Sequence, residues 1–69
     1  MKDDFSEKER RILNLLLNGK TNRQIATEMN ISEFTARDYV SSLLAKTKCS
    51  NRTTLALHWA NKLNNLLRL

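Results

Sequence analysis

Proline is absent from this 69-residue chain, glycine occurs once, at Gly19, and cysteine once, at Cys49. Without proline, no helix is broken from within. A lone cysteine excludes an intramolecular disulfide and is too few for a cysteine-based zinc site, which fits a reducing compartment. No apolar run approaches the roughly 18 residues of a membrane-spanning helix, and the opening MKDDFSEKER has no signal-peptide core. The expectation is a soluble, unprocessed, cytoplasmic protein. Reactive chemistry is missing as well. There is no nucleophile beside a base, no pair of carboxylates and no glycine-rich phosphate loop, so no enzymatic activity, cofactor or small-molecule ligand is expected. His58 has no Cys, Asp or Glu at ligand spacing on its helix and is expected at the solvated surface, with no metal.

Acidic residues are scarce and unevenly placed. Lys and Arg number 12 against 7 Asp and Glu, for a net charge of +5 and a pI near 9.9. Residues 1–31 carry six basic and five acidic side chains and residues 32–69 carry six and two, so the excess is +1 in the first part and +4 in the second. A basic surface attracts polyanions, because neutralising phosphates releases their counterions; the plainer reading is charge kept for solubility. Sixty-nine residues make one domain, 1–69, near the lower limit for a core that has neither disulfide nor metal. A helical bundle, completed by dimerisation if its own core falls short, is the economical solution.

What is present is helical punctuation. Ser6-Glu7-Lys8-Glu9 has the form of a capping box, placing a first helix from about Glu7, after a lead-in over residues 1–5. Ile12, Leu13, Leu16 and Leu17 give it an apolar face, and Gly19 follows where a left-handed cap would end it near Asn18. Thr21-Asn22-Arg23-Gln24 repeats the box, for a second helix from about Asn22 to Met29. A third runs from Glu33 to about Thr47. After the link Lys48-Cys49-Ser50, Ser50 or Asn51 caps a last helix in which Leu55, Ala56, Trp59, Leu63, Leu66 and Leu67 recur at three- and four-residue steps. With no alternating strand pattern, repeat or low-complexity stretch, the fold class is all-α with four helices.

The second and third helices are separated by little more than Asn30 and Ile31. Asparagine tolerates the left-handed region, so Asn30 can turn the chain sharply and Ser32 can cap the third helix. The small Ala26 lets two crossing helices approach, and Ile31 fills the corner. That is the grammar of a helix-turn-helix; the alternative is an ordinary helical hairpin. Ala36, Val40, Leu43, Leu44 and Thr47 form the inward face of helix three, which leaves Phe34, Arg37, Asp38, Ser41 and Ala45 outward.

These residues resemble the LuxR-type helix-turn-helix domain, also called NarL-, FixJ- or GerE-type. The match is continuous from about Phe5 to Ala60. SEKERRIL is similar to T-x-R-E-x-x-V-L, GKTNRQIA to G-x-S-N-K-E-I-A, ISEFTARDYVSSLLAK to I-S-x-x-T-V-K-x-H-V-x-x-I-x-x-K, and SNRTTLAL to S-N-R-T-x-A. The resemblance implies a four-helix domain that binds double-stranded DNA, with helix three in the major groove and frequent dimerisation through helix four. Carried over position by position, it implies base-edge contacts at Phe34, Arg37, Asp38 and Ser41, and phosphate contacts at Thr21, Asn22, Thr35, Lys46 and Arg52. The chemistry agrees: Arg37 can bond guanine O6 and N7 together, and hydroxyls or amides at helix starts suit phosphate oxygens.

The chain departs from the family pattern at Phe34 (often lysine), Asp38 (often neutral and polar), Ala36 (often β-branched), Tyr39 (often histidine) and Lys48 (often glycine). Cys49 takes a place filled by a small apolar residue and is expected to be a buried, inert thiol. Two functions compete. One is a sequence-specific DNA-binding regulator, bacterial or from a phage, either naturally short or a piece of a larger regulator. The other is an antagonist that keeps the fold and captures a related regulator through helix four or the Phe34 and Asp38 face. For the first, helix four is expected to pair two copies through part of the stripe Leu55, Ala56, Trp59, Leu63, Leu66 and Leu67, which exceeds what so small a core can cover, with the contacts nearest the C-terminus because Leu55 and Trp59 can also serve the monomer core; the alternative is a merely amphipathic tail.

Overall fold

Side chains from the cap residues tie down each helix start. Ahead of α1 (Glu7–Leu17), the Ser6 hydroxyl accepts from the Glu9 N–H at 3.1 Å while the Glu9 carboxylate accepts from the Ser6 N–H at 2.8 Å. Thr21 and Gln24 form the same reciprocal pair ahead of α2 (Asn22–Met29), at 3.2 and 2.9 Å. Ser32 caps α3 (Glu33–Thr47) by accepting from the Thr35 N–H at 3.0 Å. Asn51 caps α4 (Arg52–Leu67), its Oδ1 accepting from the Thr54 N–H and hydroxyl at 2.9 and 2.7 Å. Each bond satisfies a donor that a helix start otherwise leaves open. The computed structural model describes residues 5–67, with side chains through Asn65. Among the described residues there are four helices and no strand, the all-α class expected from the sequence.

The first three helices end alike. The Lys20 N–H returns to Leu15 O, the Ile31 N–H to Ala26 O and the Cys49 N–H to Leu44 O, each at 3.0 Å. The residue before each of these donors is left-handed: Gly19 at φ 76°, Asn30 at 57° and Lys48 at 59°. This closure satisfies the last carbonyls and reverses the chain within two residues. Glycine enters the left-handed region freely and asparagine with little strain, whereas lysine is opposed by its Cβ. Lys48→Gly should therefore raise stability by about 0.5–1 kcal/mol, the relief of strain exceeding the added freedom of the unfolded chain. Urea unfolding of the two proteins measures it; an unchanged or lower midpoint would contradict it.

Ile12, Leu13, Ile25, Ala36, Leu43, Leu55 and Trp59 are almost wholly enclosed, and Phe5, Leu16, Ala26 and Val40 complete the core. α1 packs chiefly on α4 and α2 on α3, so the helix-turn-helix leans on a scaffold made by the first and last helices. Leu17 is a correction to the expected face: it is 42% exposed, and Leu15 packs against the core instead. The two flank the buried face about equally, and the turn that brings the Lys20 N–H back to Leu15 O covers the Leu15 side. Cys49 is half-buried rather than enclosed, because it follows directly on the left-handed turn; its Sγ lies 3.9 Å from Thr47 O. Phe5 meets Trp59 edge-on, with centroids 5.6 Å apart and planes at 87°. The Lys46 and Lys62 ammonium groups lie 5.1 and 5.4 Å from the Phe5 ring centre.

Candidate nucleic-acid interface

The left-handed Asn30 ends α2 so abruptly that Ser32 caps α3 two residues later. Ala36, Val40 and Leu43 are drawn into the core, while Leu44 and Thr47 are half-buried at its edge. Of the exposed residues of α3, which also include Glu33, Ser42 and Lys46, Phe34, Arg37, Asp38, Ser41 and Ala45 share one side at helical spacing, and Phe34 at 69% is the most exposed large apolar residue among those described. Among the described residues, Arg37, Asp38 and Ser41 engage no hydrogen-bond or ion-pair partner. Their polar ends are therefore free for an outside ligand.

The residues expected at phosphates are in a different state, because each is already engaged within the chain. The Thr21 hydroxyl accepts from the Gln24 N–H, and Thr35 is half-buried, its hydroxyl accepting from that of Ser32 at 2.9 Å. Arg52 donates through Nη1 to Asn22 Oδ1 and through Nη2 to Lys20 O, both at 2.9 Å. Its fork staples the start of α4 to both sides of Thr21. This places a guanidinium beside the α2 N-terminus, where the helix dipole also favours an anion. Sequence reasoning identified Arg52 and Asn22 but not that they bind one another across 30 residues.

Lys46, near the end of α3, reaches back to Glu9 Oε1 at 3.1 Å. Glu9 therefore both caps α1 and restrains a cation of α3. The Ser6 backbone N–H, and behind it the Lys46 ammonium, hold the Glu9 carboxyl below the usual carboxylate range despite some desolvation. The pair is partly exposed, so its own contribution to stability is small. Its effect is on position, since the Lys46 charge is held beside α1 and over the Phe5 ring.

On α4 part of the expected pairing stripe serves the domain's own core. Leu55 and Trp59 are enclosed by the domain's own core, because α1 covers that face, and a second copy cannot reach them. Ala56 and Leu63 are half-buried at its edge. Leu66 and Leu67 lie in the last turn of α4, and their side chains fall outside the described residues. Sequence reasoning missed Leu57, 59% exposed on the same helix, because it falls out of step with the Leu55 and Trp59 spacing. His58 is exposed as expected. Among the described residues no three His, Cys, Asp or Glu side chains gather as metal ligands would, and no helix is long and apolar enough to cross a membrane.

Residues 3–59 match the family described as bacterial regulatory proteins, luxR family. Over 67 residues the chain is 40% identical to a probable transcriptional regulator, ycf29, of Cyanophora paradoxa, covering 97% of this chain and 31% of that one. It is 46% identical over 53 residues to the DNA-binding transcriptional activator DevR/DosR of Mycobacterium tuberculosis, covering 77% of this chain and 24% of that one. Over another 53-residue match it is 42% identical to the uncharacterized transcriptional regulatory protein YhcZ of Bacillus subtilis, covering 77% and 25%. The chain thus spans less than a third of the length of these curated relatives. A match over residues 3–59 takes in α1, the whole helix-turn-helix and the first half of α4, and on that ground the chain belongs to the luxR family of bacterial regulatory proteins, a family of DNA-binding regulators rather than enzymes.

Proposed function

We propose that this chain is a sequence-specific DNA-binding transcriptional regulator that inserts α3 into the major groove. One observation carries the reading: one side of α3 exposes Phe34, Arg37, Asp38 and Ser41, with the three polar side chains free of partners among the described residues. An unengaged guanidinium can take guanine O6 and N7 as a pair. The α2 N-terminus, with Thr21 and the Arg52 charge beside it, is the natural seat for a flanking phosphate, and Asn22, Thr35 and Lys46 would add backbone contacts. The relative from Mycobacterium tuberculosis, itself described as a DNA-binding activator, supports the same function here.

The decisive experiment is a salt titration of binding to random duplexes and to duplexes selected from a random pool. A sequence reader loses affinity steeply with salt and keeps a specificity gap of about 10³ or more between the two. Weak, shallow binding without a gap would overturn the proposal.

Pairing of two copies through α4 belongs to the same proposal. With Leu55 and Trp59 enclosed, the seam moves to the flank that Ala56, Ala60 and Leu63 form at helical spacing, with Leu57 beyond it. Two small alanines let a second helix approach closely, and a two-fold pairing would set two copies of α3 about one turn of DNA apart. Sedimentation at micromolar concentration should show a dimer that Leu63→Glu dissociates without unfolding. A wild-type chain that stays monomeric would end this part of the reading.

A second reading, an antagonist that captures a related regulator, is favoured by Asp38 and Phe34. A carboxylate repelled by phosphates and an exposed aromatic ring share the face that would enter DNA, and Lys46 is already held by Glu9. That reading requires negligible duplex binding at low salt.

A further inference from the structure

Four of the exposed side chains of α3 form an ordered series along one side of the helix. Phe34 is the second residue of the helix, Arg37 and Asp38 follow one turn later and Ser41 one turn beyond. At 1.5 Å rise per residue the series extends about 10 Å, which is about three base-pair steps of B-DNA. Each member makes a different demand on whatever lies opposite, and the major groove can meet each demand in few ways.

The Phe34 ring has no hydrogen-bonding atom. The apolar feature that the major groove offers it is the C5-methyl group of thymine. An ionised Asp38 only accepts. Adenine offers it the N6 donor with the N7 acceptor alongside, whereas cytosine presents the N4 donor without such a neighbour, so the carboxylate favours cytosine. Arg37 only donates, and guanine shows two acceptors in the spacing of its fork. Arg37 and Asp38 are adjacent, of opposite charge and of opposite need, and G·C pairs offer both halves. Ser41 donates or accepts and imposes no choice of its own.

We infer, resting on the reading of this chain as a DNA-binding regulator, that its preferred half-site holds a thymine against Phe34 and, within the next pairs, a guanine facing Arg37 and a cytosine facing Asp38. The wrong base is rejected more than the right one is rewarded. A carboxylate brought into the groove without an amino group opposite stays desolvated and repelled by phosphates. Phe34 and Asp38 thus narrow the sequences accepted rather than adding general affinity.

The test uses the full chain and its half-site selected from random duplexes. Thymines in that site are replaced one at a time by uracil, which pairs identically and lacks the methyl group. At one position the replacement should weaken wild-type binding about fourfold, the value of burying one methyl group, and should have no effect on Phe34→Ala. Selection with Asp38→Asn should lose the preference for cytosine at one position. Phe34 and Asp38 are exposed, so neither variant threatens the fold. Uracil that is harmless at every position, or equally harmful in Phe34→Ala, overturns the inference while leaving a steep salt slope and a specificity gap to support DNA reading. A chain that cannot distinguish selected from random duplexes fails on both counts. If Phe34→Ala changes neither the selected sequence nor any duplex affinity, the ring faces a ligand other than DNA and the assignment falls.

Discussion

Trp59→Ala should leave most of the protein unfolded at room temperature. Trp59 is 1% exposed, meets Phe5 edge-on and donates its indole N–H to Asn14 Oδ1 at 2.7 Å, joining α4 to α1 and to the residue ahead of α1. Replacing a buried tryptophan by alanine removes transfer free energy and leaves a cavity, together costing about 3–5 kcal/mol. A single core in a domain this small supplies only about 3–5 kcal/mol in total. Loss of α1–α4 packing also removes the support beneath the helix-turn-helix, so helical signal and duplex binding should fall together. Trp59→Phe keeps a ring beside Phe5 and frees Asn14, which is exposed and can turn to water, so it should cost only about 1–2 kcal/mol. Thermal melts followed by circular dichroism separate the two. A Trp59→Ala protein with a wild-type melting temperature would mean that Trp59 does not hold the domain together.

The contrast between Trp59 and the capping residues explains what was legible in the sequence. Ser6 with Glu9, Thr21 with Gln24, and Asn30 act within four residues of one another along the chain, so residue types at fixed offsets reveal both the helix ends and their geometry. All four helices were therefore readable to within a residue or two. The inward face of α3 was readable for the same reason, since a period near 3.6 separates Ala36, Val40 and Leu43 from Phe34, Arg37 and Asp38. Lys48 was only half-legible. Its place in the family pattern is often a glycine, but lysine has no tendency of its own toward the left-handed region that it occupies.

Illegible were the bonds made across the chain. Lys46 to Glu9 spans 37 residues, Trp59 to Asn14 spans 45 and Arg52 to Asn22 spans 30. Nothing local distinguishes a lysine waiting for a phosphate from one held by a glutamate, because both are exposed charges on a helix. The candidate site was thus legible as a set of residues but not as a set of states. Among the described residues, the polar members proposed to face bases are free and those proposed to face phosphates are engaged. The same limit applies to α4, where the spacing offers Leu55 and Trp59 to the core or to a second copy and only the packing of α1 encloses them.

Those different states separate three variants of the proposed regulator. Arg37→Ala should weaken binding to the selected site by about 1–3 kcal/mol and relax one base position, because a two-bond contact to guanine is lost. Lys46→Ala should weaken all duplexes alike and lower the salt slope by about one unit if Lys46 meets a phosphate. Glu9 supplies the opposite change. Gln24 performs at α2 the capping that Glu9 performs at α1, so Glu9→Gln keeps the cap and removes a charge that holds Lys46. With that counter-charge gone, Lys46 should be held less tightly and more available to phosphate, and affinity for selected and random duplexes should rise by a similar factor with the base preference intact. In Lys46→Ala, Glu9→Gln should retain only the small gain expected from deleting one distant negative charge. Fluorescence anisotropy across a salt series measures these three variants and the double variant against wild type. Equal losses for Arg37→Ala and Lys46→Ala on every sequence would remove Arg37 as a base reader, and a Glu9→Gln protein that binds no better than wild type would show that Lys46 leaves Glu9 without cost when DNA arrives.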